Sequence, residues 1–109
     1  MLDHKGQEVC TTDGRPGEEA DRSIRPDGQQ QDYVVLCDVE RAKGFVRPVR
    51  KTYRHITCGA KTTMGDSLAE TYARDPSFYT GTFCCNCGSH FPVGAEGEFE
   101  WLDGQKVGT

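Results

Sequence analysis

His55 stands three residues before Cys58-Gly59, and Cys84 stands three residues before Cys87-Gly88. Each pair sets two side chains able to bind a metal across one tight turn. The glycine after the second lets backbone amides turn toward the sulfur. Imidazole nitrogen and thiolate sulfur are the donors that zinc takes in tetrahedral structural sites. His55, Cys58, Cys84 and Cys87 therefore read as one complete ligand set for a structural Zn2+. Spacing alone leaves three alternatives open: Cys85 adjoins Cys84, His90 lies near the second pair, and Cys37 is a further thiol. Cys10 lies in a polar segment and reads as a bystander. A redox role for Cys84 and Cys87 needs a helix starting at the first cysteine, which Gly88 and Pro92 oppose.

Other chemistry is sparse. A catalytic zinc keeps an open position and three protein ligands, whereas four ligands are at hand here. No His-x-Glu precedes the cysteine pair, as a zinc deaminase requires, and no nucleophile elbow or phosphate loop is present. The expectation is a protein that is not an enzyme.

The elements that must carry the two turns follow from local pattern. Residues 32–38 are β-branched and aromatic and read as a strand covered on both faces. Residues 39–44 read as one helical turn closed by Gly44, and 49–56 as a strand running into His55. A helix is expected from Gly65 to Arg74, capped by Thr63 or Asp66 and stopped by Asp75-Pro76. Its apolar stripe is Met64, Leu68 and Tyr72 with Ala69 and Ala73, and Glu70 and Arg74 form an i,i+4 pair. Residues 78–84 and 89–93 read as strands on either side of the second turn. Glu96, Glu98 and Glu100 alternate with Gly97, Phe99 and Trp101, the pattern of a half-buried strand with acids outside. Asp103-Gly104 then turns the chain back toward Val107.

Residues 1–31 interrupt every periodicity with Gly, Pro and charge, and read as a flexible acidic N-terminal arm on a domain of residues 32–109. The hydrophobic fraction is 35% and the mean hydropathy is −0.68, a thin apolar supply for 109 residues. Small domains of this kind need a staple such as a metal or disulfides. The opening residues, Met1-Leu2-Asp3-His4-Lys5, lead into polar sequence, and the longest aliphatic run is Val34-Val35-Leu36. No membrane span and no secretory leader are expected from this, so a reducing cytoplasm and zinc are favoured over disulfides.

The net charge is −4, but residues 41–61 hold seven Lys or Arg and no acid. Arg47, Arg50, Lys51, Arg54 and Lys61 could follow a phosphate backbone, with Tyr53 as a stacking face. The competing reading is that they balance the acidic arm and the glutamates of residues 96–100.

Several stretches resemble a family of small proteins encoded by tailed phages and prophages. They include Gly44-Phe45-Val46-Arg47-Pro48-Val49-Arg50, Thr62-Thr63-Met64-Gly65, Leu68-Ala69-Glu70-Thr71-Tyr72-Ala73-Arg74-Asp75-Pro76 and Gly81-Thr82-Phe83-Cys84. The resemblance covers residues 24–109. It implies a phage origin and a zinc ribbon held by His55, Cys58, Cys84 and Cys87, with no activity attached; the host cytoplasm is the accompanying expectation for location. The expected fold is an α+β zinc-ribbon-type domain, with a short antiparallel sheet and one helix inserted between two zinc knuckles. The expected function is a binding module for a host or phage macromolecule, such as a host-defence inhibitor or takeover factor. Alternatives are a nucleic-acid-binding ribbon using the basic band and a virion or assembly component.

Overall fold

The computed structural model describes residues 1–109. Seven short strands and two helices form a small α+β structure: β1 (Val9–Thr11), β2 (Val34–Leu36), α1 (Asp38–Arg41), β3 (Thr52–His55), β4 (Lys61–Thr63), α2 (Asp66–Arg74), β5 (Gly81–Cys84), β6 (Ser89–Pro92) and β7 (Phe99–Trp101). They make three antiparallel sheets, β1-β2, β4-β3-β7 and β5-β6.

The central sheet shows why the pattern of two matters. On β3, Tyr53 and His55 are buried, while Thr52 and Arg54 face outward. Register pairs Tyr53 with Trp101 and His55 with Phe99 on the inner face, and Arg54 with Glu100 on the outer one. The inner face meets α2, whose buried residues are Ala69, Thr71, Tyr72 and Ala73. Edge-to-face contacts knit this core: Tyr53 on Phe99 at 5.4 Å, and Tyr72 on Trp101 at 5.6 Å between ring centroids. Such pairs add about 0.5–1.5 kcal/mol each beyond the area they bury. Phe99 and Trp101 are therefore core residues. The strand that carries them does not present them to a partner.

The helix runs from Asp66 to Arg74 and stops before Pro76, as its sequence requires. Two local expectations for it give way to tertiary contacts. Gly65 occupies the N-cap without a side-chain bond, so neither Thr63 nor Asp66 caps the helix. Glu70 takes Arg41 of α1 at 2.6 Å rather than Arg74, whose guanidinium donates to the Gly44 carbonyl. Strand β4 had no signal of its own, because Lys61-Thr62-Thr63 is polar and half exposed. It exists because it closes a hairpin with β3.

The segment expected to be a flexible arm is packed. β1 pairs with β2, joining Val9 to Leu36 and Thr11 to Val34, and both Val9 and Thr11 are buried. β2 is accordingly covered on both faces, and it pairs on one side only. Cys10 on β1 and Cys37, directly after β2, form a disulfide, so neither the bystander role for Cys10 nor a free thiol at Cys37 holds. Composition could not reveal this, because only the pairing of β1 with β2 brings the two sulfurs together. Further tethers are long range. Lys5 Nζ meets Asp75 Oδ1 at 2.8 Å and Gln7 Nε2 meets Asp75 Oδ2 at 3.1 Å. Gly28 packs so closely on Gly88 that a β-carbon there would collide with the Gly88 backbone.

Only 21 of the 109 residues are buried, so single tethers carry weight. Replacing Cys10 and Cys37 together by serine opens a 27-residue separation and is expected to cost about 3.5 kcal/mol by loop-closure entropy, read as a lower denaturant midpoint. Burial works to raise the Asp75 carboxyl, but the bonds from Lys5 and Gln7 prevail and hold it below its ordinary 3.8. Folding thus favours the ionised form. The contribution is complete above pH 3.8 and is lost as pH falls through the lower folded value. Asp75→Asn should remove about 1–3 kcal/mol of docking energy at neutral pH and flatten that acid dependence. Limited proteolysis of residues 1–31 against pH measures both effects.

Candidate metal centre

Two hairpin tips build the site. The chain leaves β3 at His55, turns through Ile56-Thr57-Cys58-Gly59 and enters β4. It leaves β5 at Cys84, turns through Cys85-Asn86-Cys87-Gly88 and enters β6. The same closing bond shapes both turns, from Gly59 N–H to the His55 carbonyl at 2.7 Å and from Gly88 N–H to the Cys84 carbonyl at 2.9 Å. Each closure needs a residue with positive φ, and glycine supplies it at +79° and +66°.

The tips face each other. One donor atom from each of His55, Cys58, Cys84 and Cys87 lies within 4.8 Å of the other three, so the group could hold a metal ion. Cys58 Sγ and Cys84 Sγ are 3.5 Å apart, and Cys87 Sγ is 3.6 Å from His55 Nδ1. Bonds of about 2.3 Å to sulfur and 2.0 Å to nitrogen at tetrahedral angles would separate the donors by roughly 3.5–3.8 Å. These two separations match. The first member of each turn, His55 or Cys84, is buried, whereas Cys58 and Cys87 are exposed, so the centre sits at the edge of the core.

The alternatives left open by spacing are resolved by orientation. Cys85 points its thiol at the Lys61 carbonyl, 3.2 Å away, and its N–H takes Thr62 Oγ1. His90 Nε2 bonds the Tyr33 hydroxyl at 2.8 Å. Cys37 is consumed by its bridge to Cys10.

His55 is held on every side. Phe91 and Phe99 both stack against its ring, at 4.6 and 4.8 Å between centroids. Its Nε2 meets Glu98 Oε1 at 2.9 Å. With Nε2–H donating to that carboxylate, the lone pair at Nδ1 is turned toward the sulfurs, the tautomer that a metal needs. Burial tends to lower the His55 pKa, but the bonds to Glu98 and Cys58 raise it above the ordinary value. Glu98 was read from sequence as part of a solvated acidic face. Its partnership was missed because strict alternation says which face a residue takes, not which neighbour waits there. The register of His55 with Phe99 sets the adjacent Glu98 beside the ring.

The sulfurs constrain one another electrically. A hydrogen bond from the Ala60 N–H leads the factors that bring Cys58 down to about 6, with Cys84, His55 and Cys87 also contributing. Burial and the neighbouring sulfurs push Cys87 up to about 11. Once one thiolate forms, the next is resisted, and a cation seated among them removes that resistance.

The basic band is largely neutralised within the chain. Arg50 bonds Asp103 and Gln105 and lies 4.9 Å from the Trp101 ring centre. Lys51 pairs with Asp66 at 2.7 Å, and Arg54 pairs with Glu100. Arg47 donates to its neighbour's carbonyl, and Lys61 forms no ion pair with an acid. The partners come from β7, the turn after it and α2, whereas the acidic arm contributes none.

No family model matches this chain, and neither a curated protein nor a solved structure matches it. Glu98→Ala is expected to weaken metal binding about 10–100-fold while Glu98→Gln, which keeps an acceptor on His55, loses less. Competition against a chromophoric chelator, with secondary structure followed in parallel, measures the ratio.

Proposed function

We propose that this protein is a zinc-stabilised, non-enzymatic binding module of phage origin that engages a host or phage macromolecule by protein contact. The observation that carries the reading is the closed donor set. Three sulfurs and one imidazole nitrogen supply all four positions of a tetrahedral zinc and leave no vacant one for substrate, which is the pattern of a structural site. Glu98 behind His55 adds the outer support such sites have. The resemblance of residues 24–109 to small proteins of tailed phages motivates the origin, and two facing hairpins with this donor set are compatible with a zinc ribbon.

Protein contact is favoured over nucleic acid because Arg50, Lys51 and Arg54 already have carboxylate partners. A phosphate backbone would have to displace those acids. Phe45, Val46 and Val49 are each more than two-fifths exposed, and they form an apolar rim on the loop between α1 and β3. A macromolecular partner is a natural user of such side chains. A takeover factor or defence inhibitor fits this description, and a virion component is the remaining alternative.

Elemental analysis of purified protein should find one zinc per chain. Chelation should abolish the folded circular dichroism signal, and Cys84→Ser should lose both metal and fold. No zinc, or a fold indifferent to chelator, would overturn the metal reading. Titration of labelled duplex and single-stranded DNA at 50 and 200 mM salt tests the choice of partner. Steeply salt-dependent binding that Arg54→Glu abolishes would transfer the function to nucleic acid.

A further inference from the structure

Nine large apolar side chains are exposed, and four of them, Val39, Phe45, Val46 and Val49, fall within one short stretch from α1 to the loop before β3. Exposed apolar residues scattered singly need no explanation, whereas a concentration of them marks an interaction surface. A chain with so thin an apolar supply gains nothing in folding by leaving four of them together in water.

This stretch is held in place. α1 is tied to α2 through Arg41 and Glu70 at 2.6 Å. One turn further along α2, the Ala73 carbonyl accepts from the N–H groups of Val46 and Arg47, at 2.9 and 3.1 Å. Arg74 donates to the Gly44 carbonyl beside them. α1 and the loop after it therefore both lie along α2. Val39 stands two positions before Arg41, roughly 200° round the helix, and so turns away from α2. Phe45 to Val49 are exposed in succession, and Pro48 fixes its own φ among them. Side chains positioned before contact lose little further freedom on binding.

Charge names the occupant. Within residues 38–51, Glu40 pairs with Lys43, Arg41 with Glu70, Arg50 with Asp103 and Lys51 with Asp66. Asp38 is bonded only by the Val39 N–H, and Arg47 donates only to the Val46 carbonyl. One acid and one base are thus left without an ionic partner. Both are exposed, and in the chain Val39, Phe45 and Val46 lie between them. An apolar strip flanked by one free charge of each sign is complementary to itself under a twofold rotation.

We propose that a second copy of this chain occupies this face, the contact role proposed above for the rim being fulfilled by a twofold homodimer. Asp38 of each copy pairs with the partner's Arg47, and the apolar strips close on one another.

Sedimentation equilibrium of the full-length protein in zinc-containing buffer, from about 10 µM to about 1 mM, covers the range of weak association. The average mass is expected to rise from 12.1 kDa toward twice that value. Asp38→Arg and Arg47→Asp each set like charges opposite one another twice per dimer. Each should weaken association at least about tenfold with the melting temperature unchanged. An equimolar mixture of the two variants restores both pairs and should dimerise as the wild type does. Val46→Ser, at an exposed apolar position, should also weaken the dimer without lowering the melting temperature. A mass of 12.1 kDa at every concentration would overturn the proposal and leave the rim to a protein of different sequence. So would a dimer that tolerates both charge reversals, or a mixture that stays monomeric. A dimer that survives denaturing, non-reducing electrophoresis is a cross-link through an exposed thiol such as Cys85, and sinks the proposal equally. Zinc is assayed in the same samples, and a zinc-free dimer counts against the metal reading alone.

Discussion

Four donor atoms crowded within 4.8 Å of one another impose the constraint on which this architecture rests. Three sulfurs at that spacing cannot all be thiolates unless a positive charge lies among them. The crowding is not local either, because the two tips belong to hairpins joined through a 25-residue excursion that contains β4 and α2. Fixing the tips therefore fixes the ends of the central sheet and of the β5-β6 hairpin, and with them the volume into which α2 must pack. A chain with so few buried residues gains more from such a clamp than from another apolar side chain.

The clamp and the core share one residue. His55 stacks with both Phe91 and Phe99, and Phe99 meets Tyr53, which meets Trp101. Ring orientation at the donor nitrogen is thus set by packing against two aromatic rings and by Glu98 at the far nitrogen. Any displacement of β7 moves Phe99 and Glu98 together, so strand position and ligand geometry are coupled through one short segment.

The sequence disclosed the donors and most of the elements because both depend on local spacing. The His55/Cys58 and Cys84/Cys87 intervals, the α2 stripe and the β7 alternation are readable within a dozen residues, and the structure places all of them near where the pattern puts them. What escaped depends on partners distant in the chain. Glu98 looks like an ordinary surface acid until the register sets it against His55. Lys61 to Thr63 has no strand character apart from the β3 edge it completes. Residues 1–31 have the composition of a tail, yet Val9 pairs with Leu36, Thr11 with Val34, and Lys5 reaches Asp75, all contacts more than 20 residues apart. Polar, glycine-rich sequence can be ordered when a disulfide and long-range polar tethers such as Lys5 to Asp75 supply what apolar area does not.

The Cys10–Cys37 bridge and the three thiol donors also make opposite demands on a newly made chain. The bridge requires two electrons to leave, whereas the donors must keep theirs. Yet Cys58 and Cys84 hold their sulfurs only 3.5 Å apart, so an oxidant able to close the first pair encounters a second pair already in contact. Thiolates engaged with a cation are poor nucleophiles for disulfide exchange, and protonated thiols are poorer still. The order of events during maturation then decides the product. A cation that arrives before the oxidant acts as a protecting group, and the correct bridge forms elsewhere by default. The reverse order leaves a covalently closed knuckle with no place for the cation, from which only reduction returns the chain.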